Sequence, residues 1–159
     1  MSRQNIHATG LVLDKIGVVL RGPSGAGKSM LALELIDEWE LRGRSARIVG
    51  DDRIELEVEK DTVTMYAPEA IEGLVELRGR GIVKRASAKR SRVHLIVDLV
   101  DDVERMVEED ALLTEFHGVS LPRCPVPRAG KTDTRHQLLL IREALRVLGS
   151  SVKARQKTT

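Results

Sequence analysis

Apolar residues recur along this chain in two rhythms, and the switches between them mark its elements. Thr9 to Leu13 and Gly17 to Leu20 are short apolar runs separated by Asp14-Lys15, which predicts a β-hairpin. Leu31, Leu33, Leu35, Ile36 and Trp39 then follow at helical spacing. They predict a helix from Ser29 to Trp39 that ends at Arg42-Gly43. Ala46 to Val49 predicts a buried strand running into Gly50-Asp51-Asp52, and Ile54, Leu56, Val58, Val63 and Met65 alternate with polar residues across Lys60-Asp61 as a second, half-buried hairpin.

The later half is less regular. Pro68 is expected to open a short helix through Leu74, and Val75 to Arg78 leads into Gly79-Arg80-Gly81, where no regular helix continues. Lys84 to Arg92, basic and rich in small residues, predicts an exposed, mobile loop. Val93 to Val100 predicts a buried strand with Asp98 near its end, after which Asp101 would cap a helix to Val107. Three prolines and a glycine from Pro122 to Gly130 predict a loop, and Asp133 or Thr134 would cap a final helix to Leu148. Gly149 to Thr159 is expected to be a frayed polar tail on a single α/β domain spanning residues 1–159.

Between the first hairpin and the first helix stands Gly22-Pro23-Ser24-Gly25-Ala26-Gly27-Lys28-Ser29, which is G-x-x-x-x-G-K-S in the strand-then-helix setting of a phosphate-binding P-loop. Glycines let successive amide N–H groups turn inward toward phosphate oxygens, and the positive end of the following helix adds to the attraction. Lys28 is expected to reach the β- and γ-phosphates and Ser29 to ligate Mg²⁺. ATP is the ligand this predicts.

Composition narrows the field. A net charge of +2 with one Phe, one Tyr and one Trp argues against a dedicated nucleic-acid binder, which needs basic stripes or stacking platforms. The lone Cys124 allows no intramolecular disulfide and fits a reducing compartment. No apolar run approaches the roughly 20 residues of a membrane span, and the first residues lack the form of a signal peptide, so a cytoplasmic location is expected.

Phosphoryl transfer needs an acid to hold the metal, a base for the acceptor's proton and cations around the transferring group. Asp51 and Asp52 end a predicted strand one helix after the P-loop, where a metal acid or a base belongs. Glu76 and Arg78 would share one strand face as a carboxylate and a guanidinium, a pattern that in isolation is also that of an ordinary salt pair. Arg128 and Lys131, in a loop with Pro125, Pro127 and Gly130, are placed to swing over phosphate. His7 stands alone before the first strand.

In their order these residues resemble one family, the bacterial HPr kinase/phosphorylase, in its catalytic C-terminal domain. The resemblance rests on His7 in Ile6-His7-Ala8, the P-loop, Asp51-Asp52-Arg53, Glu76-Leu77-Arg78-Gly79-Arg80-Gly81-Ile82 and Pro125-Val126-Pro127-Arg128-Ala129-Gly130-Lys131, covering roughly residues 6 to 145. It implies an ATP- and Mg²⁺-dependent protein kinase that phosphorylates a serine of HPr, the small phosphocarrier protein of the sugar phosphotransferase system. Many members also reverse the reaction by phosphorolysis. Position by position it makes Lys28 the P-loop lysine, Ser29 and Glu76 the metal-holding residues, and Asp52 the acid that exchanges the serine proton. Asp51 and His7 would support that acid, and Arg128 would close over the phosphates. The implied fold is a P-loop kinase domain with a mixed sheet, similar to the nucleotide site of phosphoenolpyruvate carboxykinase, in a homo-oligomer. Met30 stands where a glutamate is common, Lys84 to Arg92 is shorter and more basic than usual, and the chain reads as a short form without the family's amino-terminal domain. A P-loop small-molecule kinase and a non-catalytic nucleotide-binding switch share the same cradle and stay open as alternatives.

Overall fold

The computed structural model describes residues 3–68 and 72–157, with side chains described through Ser150. The predicted first hairpin is β2 (Ala8–Leu13) and β3 (Ile16–Arg21), preceded by a short β1 (Gln4–Ile6) that the pattern did not reveal. Helix α1 (Lys28–Leu41) follows the P-loop, and β4 (Ala46–Gly50), β5 (Ile54–Glu59) and β6 (Thr62–Tyr66) match their apolar patterns. Asp14 and Lys60, both at positive φ, make the two hairpin turns where the sequence put them. Beyond them come β7 (Leu74–Leu77), β8 (Gly81–Lys84), β9 (Arg90–Arg92), β10 (Leu95–Val100), β11 (Leu113–Phe116), β12 (Val119–Pro127) and α2 (Thr134–Lys157).

Three layers result. A six-stranded sheet, in the order β11-β12-β10-β3-β2-β4, lies between the helices and a four-stranded sheet, β1-β5-β6-β9, with β7 and β8 forming a separate hairpin. The central sheet is mixed: β10 runs parallel to both β3 and β12, whereas β2 is antiparallel to β3 and β4. Strand alternation feeds both of its faces, as Val18 and Leu20 enter the helix-side core while Val19 enters the core against the small sheet. On β10, Leu95, Val97 and Leu99 likewise face the helices and Ile96 the other side. Helix α1 buries Leu31, Ala32, Leu35, Ile36 and Trp39 on one face. Among the described residues no helix is long and apolar enough to cross a membrane.

Four expectations need correction. Pro122 to Pro127 is strand, not loop. Arg128 N donates to Val100 O at 2.8 Å, so the alternate amides of Cys124 and Val126 also point at β10, while Pro125 and Pro127 face the other flank. β11 pairs no further than Pro122, so no donor is needed there. The segment Lys84 to Arg92 is not a free loop: Ile48 N donates to Ala86 O at 2.8 Å and Ala88 N to Ile48 O at 2.9 Å, which covers the open edge of β4 before β9 begins. Asp101 caps no helix. Its carboxylate accepts from Arg128 Nη1 at 3.1 Å, and the chain stays irregular until a single 3₁₀ turn at Glu109–Leu112. The helix expected from Pro68 to Leu74 falls partly on residues 69–71, outside the described residues, and Leu74 itself begins β7. At the other end Asp133 is the cap, accepting from His136 N at 3.0 Å, and α2 runs past Leu148 to Lys157.

On the sheet face away from the helices, Asp98 accepts from Arg21 Nε at 2.7 Å and from Arg123 Nε at 2.5 Å, and Arg123 also donates to Ala111 O. Burial alone would push the Asp98 carboxyl up, but the hydrogen bonds and charges of Arg21 and Arg123 outweigh it and hold the group below its ordinary range. Asp98→Ala is expected to cost about 2 kcal/mol in urea denaturation, below the range for fully buried pairs because water reaches the arginines. The folded pKa is depressed, so this contribution is present above about pH 4, the unfolded value, and is lost as pH falls through the folded one. The variant should lack that portion of the parent's acid destabilisation, and an unchanged acid limb would contradict the assignment.

Candidate active site

The P-loop is the turn from β3 into α1, and its glycines do different work. Gly25 and Gly27 have φ of 81° and 94°, left-handed values that a side chain resists. At Gly27 a Cβ would also stand 2.8 Å from Ala129 Cβ. That close approach lets Ala129 N donate to Ala26 O at 3.0 Å, which docks the loop after β12 onto the cradle. Amides at the start of α1 have no helical carbonyl behind them and carry the helix's positive end.

Lys28 is buried, and its ammonium faces three acceptors: Gly22 O at 2.8 Å, Pro23 O at 3.3 Å and Asp52 Oδ1 at 3.4 Å. Asp51 is tied far more tightly than its neighbour. Its Oδ1 accepts from Ser29 Oγ at 2.6 Å and Thr9 Oγ1 at 3.2 Å, and its Oδ2 from Glu76 N at 3.3 Å. Asp52 has a side chain 61% exposed and a φ of 60°, a left-handed conformation uncommon outside glycine. Its amide donates to Thr9 Oγ1 at 3.0 Å. One carboxylate is therefore fixed by three elements, and the other is held through its backbone amide, with its carboxylate paired only to Lys28 and otherwise open to solvent. Such a residue in a sparsely populated conformation at a cleft is where a functional role is most often found.

These groups surround a cavity of about 320 Å³ lined by Ser24, Gly25, Gly27, Lys28, Ser29, Met30, Asp51, Asp52, Glu76, Arg78 and Ala129. The predicted pair thus converges: Glu76 points in from β7 and Arg78 from the turn after it, while Val75 on the opposite strand face enters the core. Ser29 Oγ and the Asp51 and Glu76 carboxylates are hard oxygen donors. Among the described residues no group of three or more His, Cys, Asp or Glu has metal-holding spacing, so a metal here would complete its shell with water or phosphate oxygens. Gly22, Pro23 and Ala26 shape the cradle without lining the cavity; Arg128 does not line it either and is engaged with Asp101. Lys131 does not line it either, and His7 is exposed at the bend between β1 and β2.

Thr9 is the residue that sequence reasoning missed. Fully buried in β2, its hydroxyl donates to Asp51 and accepts from the Asp52 amide, so it fixes both acids. The available signal was a hydroxyl inside an otherwise apolar strand. Thr9→Val should destabilise the fold by about 1–3 kcal/mol, because a buried amide and a carboxylate oxygen lose their partner, and Thr9→Ser should restore most of it. Urea denaturation of both variants decides, and equal losses for the two would remove the hydroxyl from this role.

Known proteins resemble this chain in sequence and in fold. The sequence profile described as "HPr Serine kinase C-terminal domain" matches residues 1–141. A protein named HPr kinase/phosphorylase from Geobacillus thermodenitrificans (strain NG80-2) is 34% identical over 134 residues, which are 77% of this chain and 41% of that protein. One of the same name from Levilactobacillus brevis is 30% identical over 154 residues, 89% of this chain and 46% of the relative. The chain therefore spans less than half the length of these relatives. A solved structure described as the Hpr(Ser) kinase/phosphatase from Coxiella burnetii superposes with a TM-score of 0.74 at 28% identity, covering 98% of this chain and 96% of that one.

Proposed function

The chain belongs to the family of HPr serine kinase C-terminal domains, and from that premise we propose that it transfers the γ-phosphoryl of ATP to a serine of HPr. The observation that carries this reading is the unequal treatment of two adjacent acids beside a P-loop lysine: Asp51 is bound by three donors, and Asp52 is exposed next to the Lys28 ammonium. A switch that only binds nucleotide needs the first acid. A transferase needs the second as well.

In this reading the triphosphate lies along the amides of Gly25 to Ser29, and the Lys28 ammonium exchanges its loop carbonyls for β- and γ-phosphate oxygens. The serine oxygen attacks the γ-phosphorus while its proton passes to an Asp52 carboxylate oxygen. The bond from that phosphorus to the β–γ bridging oxygen breaks, and ADP leaves. Ser29 and Glu76 would hold Mg²⁺, which neutralises charge on the phosphates when bound. Arg78 on the cavity wall contacts phosphate, and Arg128 joins it by releasing Asp101. His7, two residues before Thr9 on the chain, would support Asp52 from outside the cavity. We read the whole as one P-loop kinase domain, related in its mixed sheet around the cradle to the nucleotide site of phosphoenolpyruvate carboxykinase.

Two substitutions test this. Lys28→Ala should abolish transfer and sharply weaken binding of an ATP analogue in isothermal titration, since it removes the cradle's buried cation; unchanged affinity would sink the assignment. Asp52→Asn should leave analogue affinity near the parent's and lower the turnover of HPr by on the order of 10² or more. Near-parental turnover at saturating HPr would refute the base, and a larger loss from Asp51→Asn with affinity intact would reverse the roles of the two acids.

A further inference from the structure

One face of the β7–β8 hairpin turns Glu76 into the cavity, and the other residues on that face have no assigned work. Its register sets Leu74 opposite Lys84 and Glu76 opposite Ile82. Directly opposed residues share a face, so Leu74, Glu76, Ile82 and Lys84 lie together on it. The other face is spent on packing, with Val75 buried and Leu77 and Val83 set against the helix-side core. Ile82 nevertheless stands 65% exposed and Leu74 37%. Met30, which lines the cavity with Glu76, is 46% exposed.

Scattered exposed apolar residues are ordinary, but Met30 lines the cavity, and Leu74 and Ile82 share a strand face with Glu76, which lines it too. That site is a cradle for phosphate, to which an apolar side chain contributes nothing. Glu76 N binds Asp51, so the hairpin sits on the side of the cavity where the acids are. A hydroxyl accepting the phosphoryl must arrive at that end, within reach of Asp52. Around the apolar residues stand the exposed cations Arg80 and Lys84, and the carboxylate of Glu76 is turned into the cavity.

Building on the reading above, we propose that this face of the β7–β8 hairpin, with Ile82 at its centre, seats the acceptor protein. It fits a surface that carries an apolar patch with an acidic border beside its serine. Ile82 and Leu74 supply the buried contact, and Arg80 and Lys84 supply steering and register. Because Ile82 projects into solvent, substitutions there spare the core.

The experiment is steady-state phosphorylation of HPr at two ionic strengths, paired with titration of an ATP analogue and thermal melting. Ile82→Glu should raise KM for HPr about tenfold or more, a change of about 1.4 kcal/mol. Its kcat at saturating HPr, analogue affinity and melting should match the parent, and Ile82→Leu should behave like the parent throughout. The double variant Arg80→Glu, Lys84→Glu should raise KM and flatten its dependence on salt. A parental KM for HPr in Ile82→Glu overturns the proposal. So does weakened analogue binding with KM for HPr unchanged, which would assign this face to the nucleotide base. A parent protein that transfers nothing to HPr overturns the kinase reading itself, and the parent's own trace tells that failure from the other two.

Discussion

The Asp51 carboxylate is the tie on which the site depends. It joins the hydroxyl of Ser29 in the first turn of α1, the hydroxyl of Thr9 in β2 and the amide of Glu76 in β7. These three segments are far apart in sequence, and they meet only because β4 sits at the edge of the central sheet next to β2 and delivers its carboxyl end beside the P-loop. Each bond to a charged acceptor is worth more than a neutral one in this partly buried place. The consequence is a fixed wall opposite the cradle, so that positioning is built in before any ligand arrives.

Asp52 owes its freedom to the same tie. With Asp51 tied down and Thr9 holding the Asp52 amide, the backbone at Asp52 stands at φ 60° and its side chain is left to Lys28 and solvent. The base proposed for it must be held in place with an oxygen left open to an acceptor, and an anchored backbone with a carboxylate that pairs only with Lys28 is compatible with both demands. Farther from the cradle, Arg21 at the end of β3 clamps Asp98 together with Arg123 of β12. That clamp locks the parallel strands whose ends carry the P-loop and the Arg128 loop.

Local pattern made much of this legible. The P-loop, both hairpins, α1 and β4 follow from spacing that neighbours in sequence impose, and Glu76 and Arg78 were traceable because strand parity puts every second side chain on one face. The misses share a cause, which is pairing over distance. Pro125 and Pro127 are tolerated because β11 is short, and nothing near them in the chain reports that. The small, basic run after Lys84 has no periodicity of its own, yet Ile48 recruits its backbone to close a sheet edge. Asp101 has the look of a cap and is taken by Arg128, nearly thirty positions away. Thr9 was hidden for a different reason: a hydroxyl in an apolar strand fits a plain core position until its two partners are seen.

At the centre of the account is transfer from ATP to a protein serine rather than hydrolysis or passive binding. The most direct measurement is intact and tandem mass spectrometry of purified HPr incubated with this protein, ATP and Mg²⁺. One added phosphoryl group on HPr, located on a serine and appearing in step with ADP, is the expected result. Release of free phosphate with HPr unmodified, or nucleotide bound with neither product formed, would contradict it.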